Sequence, residues 1–452
     1  MPRPAPLKLL ARGALFLLAA LASGLARTTP TDHNQTRSNW PQWRGPLGTG
    51  ESPDGRPPIM WSETENLRWK TPLVGQGHSS PVTWGNRVFL TATEAHGEKL
   101  PTPEQPPGAH NNLDPTHKLR FLALCHDFQN GKLIWKTLLR DAQPHQSTHE
   151  SATWASASPV TDGHRLYAFF GSNGLYCLNA EDGKLLWQKD LGDMQVKHGH
   201  GEGASPALHG NTLVVNWDHE GDSFVVALDK LTGKERWRQA RPDEPTSWAS
   251  PVIAVVDEKP QAIASGTGAI RGYDLASGKV LWSCPGLSNN VVATPVFADG
   301  ILYAGSSYDT QAMLALRLSG ARGDLSATEH LLWSRRHRTP YVPSPLLHRG
   351  HLYFLRHYQA ILTRLEGPTG KEPNGPFRLP GLLNLYASPV AADGRLYFTD
   401  QQGATLVLSA DPAPKPLALN QLDDSFNASA AIVGNSILLR GAKYLYRLAR
   451  SK

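Results

Sequence analysis

One phrase recurs along this chain. It reads ALCHDFQNGKLIWKTLL from Ala123, LYCLNAEDGKLLWQKDL from Leu175, VALDKLTGKERWRQA from Val226 and GYDLASGKVLWSCPG from Gly272. Each copy has an apolar run, an Asp or Asn, a Gly-Lys pair, and a second run that reaches Trp. Gly131, Gly183, Gly233 and Gly278 stand four residues before Trp135, Trp187, Trp237 and Trp282. An Asx side chain closes a turn on its own backbone, and Gly supplies the left-handed residue of a short bulged hairpin. The flanking runs alternate with strand period, as Leu185 and Trp187 do against Lys184 and Leu186. Each phrase is therefore a β-hairpin with a large aromatic on one face.

A second phrase precedes each hairpin: Ser-Pro-Val or a variant, a polar turn, then a strand. Its prolines fall at 81, 159, 206, 251, 295, 345 and 389, with Ala430 in the eighth place. After the second, successive steps are 47, 45, 44, 50, 44 and 41 residues. Units of about 40–50 residues with four short strands each are the signature of a β-propeller. The first step is longer because of residues 94–118, a Pro-, Gly- and His-rich stretch without periodicity that reads as a surface loop.

The eighth unit lacks its last strand, and ENLRWKTPL, from Glu65 to Leu73, belongs to no complete unit. Pairing that N-terminal strand into the last blade closes the ring and removes two sheet edges. The sequence thus predicts an all-β, eight-bladed propeller over residues 59–452, with Trp69 in the place held by Trp135, Trp187, Trp237, Trp282 and Trp333. Blades six and seven have degenerate outer strands around Phe377 and Leu417.

The first 26 residues carry Arg3, Lys8 and Arg12, then an apolar stretch, then small residues, as a secretory signal peptide does, with cleavage after Ala22 or Ala26. Residues 27–58 follow as an extended segment. No cysteine follows the apolar stretch, so no lipid anchor is expected, and the mature protein is expected to be periplasmic or secreted and monomeric. Cys125, Cys177 and Cys284 are an odd set with no disulfide framework and read as buried small hydrophobes. The net charge of +6 comes from scattered basic residues, and the RRHR run from Arg335 reads as a solvated strand end, so no nucleic-acid partner is implied.

The ALDxxTGKxxW-type hairpins at Asp229 and Asp274, with the Asn179 and Asp127 variants, resemble the pyrroloquinoline quinone (PQQ) repeat family. That family includes quinoprotein alcohol dehydrogenases and the BamB-type scaffold of outer-membrane protein assembly. NWPQWRGPLGTG, from Asn39, is similar to the opening segment of a secreted bacterial subgroup. The resemblance implies tryptophans that dock on the neighbouring blade. It leaves activity open, because one fold hosts many functions. A quinone enzyme of this family needs an aromatic floor, a stacking lid, basic side chains and a calcium ion held by an oxygen cluster. The chain has no Cys-Cys lid, no Asp-rich cluster near a repeat start and no Cys-x-x-Cys-His. PQQ and calcium are therefore not expected.

Residues just ahead of the Ser-Pro phrases start the innermost strands and face one mouth of the channel. They are His78, Glu150, Trp154, His198, His200, Glu202, Trp248, Asn290, Tyr341, Tyr386 and Asn427. His198, His200 and Glu202, with His78, could bind a transition metal. Polar side chains hydrogen-bonded to loop backbone are the simpler reading, and no metal is assigned. The aromatics Trp248, Tyr341 and Tyr386 could stack on a sugar or a peptide or fill the tunnel mouth. The functional expectation is an extracytoplasmic, non-catalytic binding or scaffold protein with a protein, peptide or glycan partner. A PQQ-dependent dehydrogenase and a carbohydrate- or peptide-binding propeller are the alternatives.

Overall fold

The computed structural model describes residues 1–2, 37–356 and 359–450, so the expected signal peptide lies, but for its first two residues, outside the described residues. Eight sheets follow one another around a ring. Blade 1 pairs Val82–Trp84, Arg87–His96, Lys118–Asp127 and Leu133–Ala142, from the axis outward. Blades 2 to 7 repeat that order, and blade 8 combines Ala431–Val433, Ser436–Arg440 and Tyr444–Ala449 with Leu67–Pro72. Trp69 stands opposite Arg447, and Pro72 opposite Tyr444. The N-terminal strand therefore closes the ring from outside.

The turn chemistry is that expected. Asp127 Oδ1 accepts from the N–H groups of Gln129 and Asn130, and Asp229 Oδ1 from those of Leu231 and Thr232. Gly131, Gly183, Gly233 and Gly278 have φ between 69° and 74°, and the pairing slips by one residue just beyond each turn.

Period-two alternation sends successive side chains of a strand to opposite faces, and in a propeller both faces meet a neighbouring blade. In blade 1, Phe89 packs with Leu166 and Ala168 of blade 2, while Val88 and Leu90 pack with Leu438 and Tyr446 of blade 8. The core is accordingly a circle of apolar layers between blades. Cys125 and Cys177 lie in successive layers of that circle, and burial pushes both thiols up to about 12. All three cysteines are free and buried.

The outer tryptophans fasten these layers. Trp69, Trp135, Trp187, Trp237 and Trp333 lie over Gly131, Gly183, Gly233, Gly278 and Gly370 of the next blade. Their indole N–H groups donate to the carbonyls of Phe128, Ala180, Lys230, Leu275 and Gly367, each three residues before that glycine. Trp282 departs from this pattern. It lies on Gly272 of its own blade, where a Cβ would stand 2.3 Å from the indole, and its N–H donates to Gln261 Oε1. The next blade offers it no short Asx-Gly turn: the chain there runs from Arg317 to Leu331 through a longer excursion whose residues Gly323–Asp324 pair with the outer strand of blade 4. Blade 7 lacks an outer-strand Trp, and Trp61 from the N-terminal segment fills the place, stacked 6.4 Å from Tyr397 with its backbone N–H on Asn420 Oδ1.

The segment expected as a surface loop is shorter than residues 94–118. Strands continue to His96 and resume at Lys118, and the intervening chain pairs Asn112–Leu113 with Thr148–His149. Among the described residues, no helix is long and apolar enough to cross a membrane.

Candidate functional site at the channel mouth

The residue before a proline is held extended. Here that residue is Ser80, Ser158, Ser205, Ser250, Thr294, Ser344 and Ser388, with Ser429 before Ala430. The backbone N–H of each donates to the hydroxyl of its counterpart in the next blade, at 2.8–3.0 Å, and Ser429 donates to Ser80. Eight bonds make an unbroken belt around the axis. The Ser-Pro phrase thus joins blades as well as starting strands.

Below the belt the channel is capped. The segment after Asn39 crosses the far ends of the innermost strands: Thr83 donates to Trp40 O, Thr161 to Pro41 O and Leu347 to Thr49 O. Ala391 donates to Gly50 O, while Arg56 donates to Gly434 O. Arg44 is buried and has no carboxylate partner among the described residues. It donates to the carbonyls of Pro389, Pro345 and Thr49, and burial lowers its guanidinium to about 9. Trp43 forms the floor, its indole N–H 3.4 Å from Ser429 Oγ.

From Trp43 past the belt to the face that carries the starts of the innermost strands runs a cavity of about 580 Å³. Of the expected mouth residues, His78, Glu150, His200, Trp248, Asn290, Tyr341, Tyr386 and Asn427 all line it. His78 Nδ1 meets Ser151 O at 3.1 Å and its Nε2 faces the Asn427 amide at 3.4 Å. Burial, helped by nearby Arg440, lowers the His78 imidazole to about 4. Trp248 donates to Gly201 O at 2.7 Å, and Tyr341 stacks on Tyr308 at 6.2 Å. Asn427 Oδ1 accepts from Gln401. Asn290, in the left-handed region at φ 54°, has a buried Oδ1 with no hydrogen-bond partner among the described residues.

Glu202, Trp154 and His198 are not part of the lining. Glu202 turns away beneath the mouth, where its carboxylate accepts from the N–H and hydroxyl of Ser172, and burial pushes its carboxyl up. The extended-chain geometry that would place it with His198 and His200 fails, because Lys197–Gly199 is a tight turn with His198 at φ 58°. Trp154 hands its N–H to Gln146 O and packs in the layer between blades 1 and 2. Sequence reasoning missed Trp43, His110, Asn111, His149, Tyr308 and Asn384, which also line the cavity. Only the histidine-rich composition of the 94–118 stretch pointed toward any of them.

A polyanionic quinone with calcium needs fixed cations and several oxygen ligands. Among the described residues, the lining contains no Lys or Arg and a single carboxylate, Glu150. The residues present do not fit that pair.

Comparison with known proteins follows the architecture. The PQQ_2 family, described as outer membrane protein assembly factor BamB, matches residues 123–373. Outer membrane protein assembly factor BamB of Yersinia pestis is 24% identical over 340 residues, covering 71% of this chain and 78% of that protein. Tetrathionate hydrolase of Acidithiobacillus ferrooxidans is 22% identical over 428 residues, covering 84% and 78%. Among solved structures, BamB from Moraxella catarrhalis superposes with a TM-score of 0.52 at 14% identity, over 79% of this chain and 99% of that one. Quinohemoprotein alcohol dehydrogenase from Comamonas testosteroni gives 0.60 at 10% identity, over 92% and 81%. At these identities the structural likeness shows the fold alone, and the similar proteins include both an assembly factor and enzymes.

Proposed function

We propose, from the premise that this chain belongs to the PQQ-repeat family of outer membrane protein assembly factor BamB, that it is an extracytoplasmic, non-catalytic binding protein whose open mouth takes a segment of a partner polypeptide. One observation carries the reading: the segment after Asn39 crosses one end of the channel, and the cavity at the other is lined by aromatic, amide, hydroxyl and imidazole side chains with no Lys or Arg among the described residues. A cavity of about 580 Å³ is of ligand-binding size. Trp248, Tyr341 and Tyr386 offer flat apolar faces, and Asn290, Asn384 and Asn427 offer the paired donor and acceptor that a peptide group needs. Tyr308, also in the lining, is 48% exposed and carries the aromatic surface outward.

A photo-crosslinking amino acid in place of Tyr308 tests this in cells. A polypeptide crosslink that disappears with Trp248→Ala supports the reading. No crosslink, together with a melting temperature raised by soluble oligosaccharides, transfers the mouth to glycan binding. Linkage requires any ligand of the folded state to raise the melting temperature. PQQ with calcium is expected to leave it unmoved and to give no dye reduction with alcohols. A PQQ-dependent rise lost on Trp248→Ala makes the protein an oxidoreductase.

A further inference from the structure

Three segments far apart in sequence are stitched together on one side of the mouth. Asn112 pairs with His149, and Glu150 donates to Asn111 O. His149 donates to His200 O, the Asn112 side-chain amide to His198 O, and Ser147 Oγ to Gly199 O. The stitching gathers imidazoles from all three. His110 and His198 have ring centroids 5.3 Å apart, His110 and His200 4.7 Å, and His198 and His200 5.3 Å. These three rings form a closed triangle, and His149 stands beside it, 4.8 Å from His200.

His110 Nδ1 meets Gly108 O at 2.8 Å, which leaves its Nε2 for a ligand. Both ring nitrogens of His198, and Nε2 of His200, are buried with no hydrogen-bond partner among the described residues. Left so, a buried polar atom forfeits the hydrogen bonds it made to water in the unfolded chain. His198 is also held in the left-handed region at φ 58°, a conformation that a non-glycine residue adopts at an energetic cost.

A tetrahedral metal with imidazole nitrogens at about 2.0–2.1 Å has ring centroids about 3 Å from the ion and about 5 Å from one another. The three observed separations match that spacing. Among the described residues no three His, Cys, Asp or Glu side chains are already placed to hold an ion. The rings meet at interplanar angles of 49° to 77°, so what is in place is their spacing, and turning the rings is what converges the nitrogens.

We propose that His110, His198 and His200 form a three-histidine site for a divalent transition ion of the zinc class, its fourth position open to the cavity that His110 and His200 line. Nitrogen ligands without thiolate or a carboxylate cluster select zinc, cobalt, nickel or copper over calcium. The set differs from the one the sequence suggested, because His78 bonds Ser151 and faces Asn427 while Glu202 bonds Ser172. It goes beyond the binding role above and does not depend on which molecule fills the cavity.

Cobalt titration at pH 7.5, on the chain purified without a polyhistidine tag, reads the ion directly. One cobalt per chain is expected, with visible absorption bands of a tetrahedral site that zinc abolishes by displacement. His110→Ala and His198→Ala each weaken binding by about 100-fold or more, and His78→Asn leaves it intact. His110 is exposed, so if His198→Ala does not fold, His110→Ala decides the matter alone. No saturable binding, or one-to-one binding that survives the His110→Ala change, overturns the assignment.

Discussion

Replacing Trp237 by Ala tests whether the blades are fastened one to the next. The indole is 8% exposed, donates to Leu275 O at 2.8 Å and stacks on Tyr273 at 6.2 Å. Removing a buried Trp costs about 3–5 kcal/mol through lost transfer energy and the cavity left behind. The specific claim is that Trp237 rests on the turn of the next blade. A Cβ at Gly278 would stand 2.6 Å from the indole, and Gly278 has φ 74°. Gly278→Ala alone therefore combines a left-handed penalty of about 1–2 kcal/mol with an overpacking penalty of about 1–3 kcal/mol. In the double variant the overpacking disappears with the indole and only the backbone penalty remains. Urea unfolding of the four proteins should show the two changes coupled by about 1–3 kcal/mol, the double variant being more stable than the sum predicts. Trp282 and Gly320 supply the control: Trp282 rests on its own blade, and a Cβ at Gly320 meets nothing within 4 Å. That pair should be additive. Additivity within about 0.5 kcal/mol for Trp237 and Gly278 refutes the docking argument.

The serine belt gives a second expectation: Ser205→Ala leaves the Ser158 N–H without its acceptor and lowers stability by about 1–3 kcal/mol in the same assay. Ser205→Thr should recover most of that loss, since Thr294 serves the belt in blade 5. Arg44→Met removes the donor to three buried carbonyls and should expose the segment after Asn39 to limited proteolysis while far-UV circular dichroism is unchanged. Acid should destabilise the fold through His78, whose imidazole is lowered to about 4 in the native state from 6.5. Between those values the unfolded chain binds the proton and the folded one does not, so the contribution is full above pH 6.5 and falls as pH drops toward 4. The melting temperature should decline over that window less steeply in His78→Asn than in the parent chain.

The parts of the fold legible in the sequence are those written locally and repeated. A hairpin needs its Asx, its left-handed glycine and its alternation within some fifteen residues, and four near-copies at Asp127, Asn179, Asp229 and Asp274 make each one confirm the others. The leftover strand at Trp69 was legible for a related reason, since only a chain that closes on itself needs it. Trp282 shows where that logic fails. Its own hairpin carries the full pattern, but docking depends on the turn of the following blade, and the chain from Arg317 to Leu331 has no Asx-Gly turn to offer. The repeat describes a unit, whereas a contact between units belongs to both.

The site obeys the second rule more strongly than the first. Residues ahead of each Ser-Pro phrase reach the mouth because the repeat fixes where an innermost strand begins, and that sufficed for His78, Trp248, Asn290, Tyr341, Tyr386 and Asn427. Glu202 leaves the mouth because its glycine-flanked stretch, extended by its sequence pattern, is turned by His198 at φ 58° and Gly199 at φ 64°. His110 and Trp43 were out of reach for a different reason. Each lies on a non-repeating segment, one brought over the mouth by the pairing of Asn112 with His149, the other threaded beneath the belt by backbone bonds to five blades. Repetition builds a ring of equivalent backbone positions, and an equivalent backbone by itself distinguishes no direction around the axis. The insertions break that symmetry: the segment after Asn39 makes one end a floor, and the loop bearing His110 makes one side of the other end unlike the rest. The two stretches that match no blade therefore set the polarity of the channel, and the side chains that vary from blade to blade at the mouth, such as Trp248, Asn290 and Tyr341, act within the asymmetry those stretches create.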